Sequence, residues 1–179
     1  GYLRGYTHTV AYLTHIYSWV IPMAIGDCHA ALGSFDEAEA EYLRTRDYKY
    51  LNKVVESVTL WTRLADLYVD WGDRRYRNAR NDVSVFDRAA GLYERVVRLD
   101  GTIDSESPLY AHDALAGVRS RVEAVLPDLF DEDGDPVRVD ENPRILLSLL
   151  RAHGRLTQID AELNFLGYGV YIPPFSFEH

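Results

Sequence analysis

The stretch IGDCHAALGSFDEA, residues 25–38, decides the fold of this chain. Small and apolar residues lead up to Gly33, and glycine is the residue that most often ends a helix in the left-handed conformation. Ser34 follows, with Glu37 three positions later, which is the spacing of a capping box at the start of a helix. We therefore predict two helices joined by a tight turn, the second running to about Arg46.

Upstream of this turn, apolar residues recur at steps of three and four, the period of one helix face. These positions are Val10, Leu13, Tyr17, Val20, Ala24 and Cys28. We expect them to form a buried stripe, with Cys28 as a small core residue. Pro22 interrupts the run, and proline inside a helix removes a hydrogen bond and clashes with the preceding turn. The sequence predicts a kink there, or two helices that meet near residues 18–21.

Downstream, a second hairpin is predicted over residues 54–100. Its first helix is marked by Val54, Val58, Trp61, Leu64, Ala65, Tyr68 and Trp71, and its second by Phe86, Ala89, Tyr93 and Val96. We expect the first helix to end at Gly72 and residues 74–85 to form an enlarged turn. The second helix should end before Gly101.

The rest of the chain predicts more helices and no sheet. Ser107 and Pro108 have the cap-then-proline order of a helix start, so we predict a helix over 108–126. Residues 128–142 are acidic and should form a loop, and Asn142 repeats the cap signal for helices over 143–166 that break at Gly154. The prediction is one all-α domain, 1–167, of seven to eight helices, followed by an extended tail, 168–179.

The two hairpins, 17–46 and 54–100, resemble tetratricopeptide repeats. In the first, Gly26, Gly33, Ala38 and Tyr42 match the small, turn, small and aromatic positions of that family; in the second, the matches are Trp61, Leu64, Ala65, Tyr68, Gly72, Ala89 and Tyr93. The resemblance implies antiparallel hairpins stacked as an α–α superhelix that binds a peptide or a domain. An irregular helical bundle is the alternative. Small residues at Gly26, Ala38, Ala65 and Ala89 should let paired helices cross closely.

A weaker resemblance is to internal segments of large bacterial multidomain proteins of the toxin-complex type. It involves Val20-Ile21-Pro22, Gly26-Asp27 and the stretch YGVYIPPF, residues 168–175. The chain starts with Gly1 and ends in Pro, Phe and His without a polar tail, so we expect a piece of a longer polypeptide.

Composition restricts the function. The net charge of -9 argues against a nucleic-acid or anionic-membrane binder. The sequence has no run of 18 apolar residues, so no membrane span is predicted. Cys28 is the only cysteine, which excludes an internal disulfide and a cysteine-based zinc site. With no signal-peptide pattern in residues 1–15, a cytoplasmic location is slightly favoured.

Three groups of residues suggest chemistry, and each has a plainer interpretation. His8 and His15 lack a second ligand at the i+4 spacing of helical zinc sites. Asp27, Cys28 and His29 are consecutive, so on a helix they point about 100° apart and cannot converge. The acidic stretch 131–135 lacks the glycine and glutamate spacing of a calcium loop. We therefore predict no catalytic residue, no metal and no cofactor.

The favoured function is a non-catalytic scaffold that binds a protein, a peptide or a neighbouring domain. One candidate surface is the basic cluster Arg74, Arg75, Tyr76, Arg77 and Arg80. Arginine suits acidic or phosphate partners; alternatively these arginines pair with Asp66, Asp70, Asp73 and Asp82. The alternatives for function are a structural segment of a large bacterial secreted or toxin-like protein and a helical enzyme with an unrecognised site.

Aromatic residues outside the clearest helices form the second candidate surface, because aromatics are enriched at binding hot spots. These residues are Tyr48, Tyr50, Tyr168, Tyr171, Phe175 and Phe177. The alternative is ordinary packing over helix ends.

Overall fold

The computed structural model describes residues 10, 12–79, 82–130 and 141–170, and it confirms an all-α chain. Within those residues there are six α-helices and no strand. They are α1 (Ile21–Leu32), α2 (Phe35–Arg44), α3 (Glu56–Ala79), α4 (Val83–Tyr93), α5 (Ala116–Leu129) and α6 (Pro143–Asp160). Within the described residues the predicted count of seven to eight helices is not reached, because two predicted breaks are absent, as described below.

A π-helical turn, Ile16–Val20, leads directly into α1. The amide of Ile21 donates to the carbonyl oxygen of Ile16, five residues back, instead of the usual four. Pro22 lies at the start of α1, where it has no amide to donate and would clash with a regular preceding turn. The predicted irregularity at Pro22 is therefore this wider turn inside a continuous helical segment.

The turn between α1 and α2 is the one predicted from residues 25–38. Gly33 has φ 75° and ψ 19°, and its amide donates to the carbonyl oxygen of Ala30. This is the left-handed C-cap that glycine adopts without steric cost. The helix α2 begins at Phe35 after Ser34, but the Ser34 side chain makes no cap hydrogen bond, so the capping box is not formed.

The helix α3 does not end at Gly72. It continues to Ala79, so most of the predicted enlarged turn is helix and Gly72 lies buried inside it. The next helix, α4, is capped by Asp82, which accepts hydrogen bonds from the amide and hydroxyl of Ser84 at 3.0 and 2.7 Å. The prediction was wrong because glycine was taken for a helix end, whereas here it provides room for a neighbouring ring.

The two hairpins share a contact that we call the tyrosine clamp. The ring of a tyrosine on the second helix packs against a glycine of the first helix of that hairpin, and the tyrosine hydroxyl donates a hydrogen bond to the aspartate that follows this glycine. In α1 and α2, a Cβ on Gly26 would lie 2.5 Å from Tyr42 Cε1, and Tyr42 donates to Asp27 at 2.6 Å. The clamp recurs in α3 and α4. There a Cβ on Gly72 would lie 2.6 Å from Tyr93 Cε1, and Tyr93 donates to Asp73 at 2.8 Å.

The second helices of the hairpins also match in sequence. Residues 35–44 and 86–95 both read F-D-x-A-x-x-x-Y-x-R. In the second clamp the glycine is Gly72, which corresponds to Gly26 in the first clamp. All four small residues expected at close crossings are buried: Gly26, Ala38, Ala65 and Ala89.

Two boundaries in the C-terminal half differ from prediction. The helix α5 begins at Ala116 and not at Pro108, because His112 caps a short 3₁₀ turn, Asp113–Leu115, that leads into it. Ser107 instead donates its hydroxyl to the carbonyl oxygen of Arg95 at 2.6 Å. The helix α6 runs through Gly154 without a break, and Asn142 caps it as predicted.

Helices α1 to α4 pack in chain order, and α6 packs on α3 and α4. The buried core is continuous from Trp19 to Leu156, and all three tryptophans belong to it. Trp61 is fully buried, and Trp19 and Trp71 are nearly so. The apolar stripe that was predicted to lie in the core before Cys28 is mostly exposed, and so is Cys28 itself. The buried side of the first helix, a name we use for residues 10 and 12–20 together with α1, is instead formed by Trp19, Pro22, Met23 and Gly26.

Candidate functional site

The predicted basic cluster lies on the last two turns of α3. Arg74, Arg75 and Arg77 are exposed, and we call these three residues the arginine face. Tyr76 is fully buried between them and therefore cannot contact a partner, contrary to the prediction. Arg80 lies outside the described residues.

Each guanidinium of the arginine face lies over an aromatic ring. Arg74 is 5.7 Å from the ring centroid of Phe35, Arg75 is 5.2 Å from that of Trp71, and Arg77 is 4.6 Å from that of Phe165. Arg74 also donates to the carbonyl oxygen of Gly33 at 3.1 Å. Such stacking holds a guanidinium in place by cation–π attraction and leaves N–H groups at its edge for an anion.

The interpretation that these arginines pair with nearby aspartates is not what the structure shows. Asp70 accepts from Arg151 at 2.9 Å, and Asp73 from Arg155 at 3.1 Å. Asp66 accepts from Ser148, and Asp82 caps α4. Within the part of the chain that is described, no carboxylate forms an ion pair with Arg74, Arg75 or Arg77.

The segment 161–170 folds back onto this end of α3. Tyr76 donates its hydroxyl to the carbonyl oxygen of Leu163, and its ring lies edge-on to Phe165 at 5.7 Å. Phe165 in turn lies between two guanidinium groups, those of Arg77 and Arg155. Tyr168, at 68% exposure, is the candidate aromatic of this segment that remains available at the surface.

The other predicted aromatics differ in how exposed they are. Tyr50 is 67% exposed, whereas Tyr48 packs partly against the core and lies 5.8 Å from the ring of His15. Tyr171, Phe175 and Phe177 lie outside the described residues. The structure therefore brings Arg77 and Tyr168 to the same end of α3 and places Tyr50 elsewhere.

A groove of about 360 Å³ lies between α1 and α3. It contains three aspartates and one arginine, Asp27, Asp66, Asp70 and Arg63. Each aspartate accepts a hydrogen bond, from Tyr42, Ser148 and Arg151 respectively, and Arg63 pairs with Asp27 at 3.1 Å. These contacts connect helices, so the groove's carboxylates have a structural role.

The tyrosine clamps are also electrostatically distinct. Burial raises the pKa of Tyr42 well above its ordinary value of 10, and the hydrogen bond to Asp27 raises it further. Burial, with the charge of Asp73 and the hydrogen bond to it, does the same for Tyr93. Both hydroxyls are therefore fixed hydrogen-bond donors at any physiological pH.

The residues examined for metal or nucleophilic chemistry do not converge. Cys28 is exposed, and His15 lies 3.5 Å from Glu56 on another helix. No group of three or more His, Cys, Asp or Glu side chains that could hold a metal ion occurs in the described ranges. His8 and the acidic stretch 131–135 fall outside those ranges.

Sequence reasoning missed one surface, the outward side of the first helix. Large apolar side chains there are 38–78% exposed. They are Val10, Leu13, Tyr17, Val20, Ile21, Ile25 and Leu32. This helix is apolar on nearly all sides, so its period alone did not distinguish the core side from the outer side. The close fit of Gly26 to Tyr42 was the signal that could have done so.

No helix within the described residues has both the length and the apolar character needed to cross a membrane. Comparison with known proteins does not extend this description. No family model, no curated protein and no solved structure matches the chain.

Proposed function

We propose that this chain is a non-catalytic interaction module that uses stacked helical hairpins as a scaffold for a protein, peptide or neighbouring domain. The repeated tyrosine clamp supports hairpins stacked in the manner of tetratricopeptide repeats, because the same contact fixes the crossing of α1 with α2 and of α3 with α4. The observation that carries the proposal is the arginine face.

Arg74, Arg75 and Arg77 supply positive charge at one end of a chain whose net charge is -9. Their aromatic neighbours restrict side-chain motion, so binding an anion costs less conformational entropy than it would with free arginines. Guanidinium groups pair well with carboxylates. An acidic segment of a protein partner is therefore the ligand that fits this surface, and exposed Tyr168 lies at the same end of α3.

The test uses two triple variants with the same change in net charge. In R74S/R75S/R77S the arginine face is removed; in R98S/R121S/R144S the arginines removed lie outside that face, and Arg98 and Arg121 are paired with Asp104 and Glu141. Proteins recovered on the immobilised wild-type chain from its source cells are identified, purified and titrated against all three chains.

We expect the arginine-face variant to bind the purified partner about 10 to 100 times more weakly, corresponding to about 1.4 to 2.8 kcal/mol. The control should bind within about threefold of wild type. Equal affinity of the two variants, or no protein recovered by the wild-type chain, would refute the proposal.

A second candidate is a structural segment of a large bacterial secreted or toxin-like protein. The exposed apolar side of the first helix favours it, because such surfaces are usually covered. The length of the open reading frame separates the two: a very long frame favours the segment, and a short one favours the independent scaffold.

A further inference from the structure

The outer face of the first helix is an exposed apolar feature that the arginine face does not explain. We define it as the seven exposed large apolar residues named above, which include Ile21 and Ile25, together with Cys28. Seven large side chains on it are 38–78% exposed.

The repeat within the chain shows what the equivalent face of α3 does. The clamp residues Gly26 and Asp27 correspond to Gly72 and Asp73, 46 positions later. At the same separation, Ile21 corresponds to Leu67, Ile25 to Trp71 and Cys28 to Arg74. Three neighbouring positions on the outer face of the first helix therefore have counterparts on α3.

Two of those counterparts, Leu67 and Trp71, are buried where the second helix of the preceding hairpin packs on α3, whereas Arg74 is exposed at the edge of this contact. The ring of Phe35, on α2, is stacked on Trp71 at 5.7 Å with an interplanar angle of 12°. The guanidinium of Arg74 lies 5.7 Å from the centroid of the same Phe35 ring. Leu67 is only 3% exposed. A helix carrying a phenylalanine in its first turn thus closes this surface of α3.

A charged contact accompanies the apolar one. Glu39, on α2, accepts from Tyr68 at 2.6 Å and from Arg95 at 2.9 Å. The F-D-x-A-x-x-x-Y-x-R repeat makes Arg44 the counterpart of Arg95. The side chain of Arg44 is 64% exposed and lies in the first hairpin. The counterpart of Tyr68 is Pro22, which has no hydroxyl, so only the bond between the arginine and the glutamate can recur.

We propose that the outer face of the first helix docks the second helix of another hairpin of the same type. Its first-turn aromatic lies on Ile25 and Cys28, as Phe35 lies on Trp71 and Arg74, and its glutamate reaches Arg44. This docking continues the packing order of α2 on α3 by one further hairpin. It involves a surface separate from the arginine face and stands or falls independently of it.

The test duplicates residues 10–55 directly before residue 10 of the full chain, which reproduces the 46-residue separation of the two clamps. Cys28→Ser is made in both copies and Ile25→Cys in the original one, so residue 25, the counterpart of buried Trp71, carries the only thiol. Its rate of reaction with a disulfide reagent (DTNB) is measured together with helix content from circular dichroism.

We expect helix content to rise by that of one hairpin and the thiol at residue 25 to react at least about ten times more slowly than in the Ile25→Cys/Cys28→Ser chain without the added copy. The control is Phe35→Asp in the added copy alone, where Phe35 has no partner other than the original first helix. It should restore fast reaction while the added hairpin stays helical.

An added hairpin that remains unfolded, or a thiol that reacts as fast as in the chain without the added copy, would overturn the proposal. So would protection of the thiol at residue 25 in the chain without the added copy that rises with concentration together with dimer formation in sedimentation, because a second copy would then be the occupant.

Discussion

The ring of Tyr42 lies so close to Gly26 that a Cβ on residue 26 would be 2.5 Å from the ring. Tyr93 has the same relationship to Gly72. Each tyrosine is also held from its other end by a hydrogen bond to the aspartate that follows the glycine. The ring cannot easily move aside, and this makes both glycines sensitive to substitution.

We expect Gly26→Ala and Gly72→Ala each to lower the free energy of unfolding by up to about 2 kcal/mol. Alanine would gain about 1 kcal/mol of helix propensity, but overpacking against a fixed ring typically costs 1–3 kcal/mol. Urea denaturation measures the difference. Gly91 and Gly154 are the controls, because no atom lies within 4 Å of a Cβ placed there. Their alanine variants should be more stable than wild type; destabilisation at all four sites would contradict the steric explanation.

The clamp hydroxyls should contribute to stability as well. Tyr42→Phe and Tyr93→Phe each remove a hydrogen bond to a carboxylate and should cost about 1.5 to 3 kcal/mol, the range for bonds to charged groups. Tyr50→Phe is the matched control, because Tyr50 is 67% exposed. Denaturation midpoints of all three variants decide the matter. A loss at Tyr50 equal to that at Tyr42 would show that the hydroxyl bonds are not responsible.

Stability should fall as the pH rises above about 10. Burial is the main cause that raises the pKa of tyrosines in the folded chain, and the rise is largest for Tyr42, Tyr68, Tyr93 and Tyr110. The unfolded chain loses these protons near pH 10, whereas the folded chain retains them, so the stabilisation present below pH 10 is lost progressively at higher pH. Each group contributes up to about 1.4 kcal/mol per pH unit.

The measurement for this dependence is the free energy of unfolding from urea titrations between pH 8 and 11. The variant Tyr42→Phe is less stable at pH 8 but lacks one of the ionising groups. Its stability should therefore decrease with pH less steeply than that of wild type. Parallel slopes would rule out Tyr42 as a source of the alkaline loss.

Tyr76→Phe should loosen the segment 161–170 without unfolding α3. The variant loses the hydroxyl that donates to Leu163, a bond worth about 1 kcal/mol, so local opening should become about fivefold more frequent. Hydrogen exchange at the amides of Asn164 and Val170 reports it. The control is Tyr110→Phe, whose hydroxyl bonds to Val96 instead. Unchanged exchange in the Tyr76 variant would mean that Phe165 alone holds the segment.

Local signals predicted much of the fold. The turn at Gly33, the Asn142 cap and the buried small residues at the helix crossings are all set by a few neighbouring side chains. The sequence failed at Gly72 and Gly154, because glycine inside a helix is indistinguishable from a terminal glycine until its neighbours are known. At Gly72 the neighbour is Tyr93, on a helix that comes later in the chain.

The correct alignment of the hairpins was nevertheless present in the sequence. Residues 35–44 and 86–95 share five of ten positions, and aligning them pairs Tyr42 with Tyr93. The first helices then align on Gly26 and Gly72 instead of on Trp61. The longer span from Gly72 to Tyr93 hid this match, because the extra residues extend α3 beyond the clamp.

The candidate site was predictable as composition but not as geometry. The cluster of arginines is visible in the sequence, and so is the excess of aspartates around it. Which aspartate each arginine meets depends on α6, which supplies Arg151 and Arg155 from far along the chain. The same distance in sequence conceals the ring of Phe165 under Arg77.

The burial of all three tryptophans makes the chain its own optical reporter. Trp19 belongs to the first hairpin, Trp61 lies in the second turn of α3, and Trp71 is stacked on Phe35 where the hairpins meet. Emission from the folded chain should be blue-shifted, and single-tryptophan variants would assign the signal by location. Loss of the Trp71 signal before that of Trp61 would reveal separation of the hairpins ahead of global unfolding.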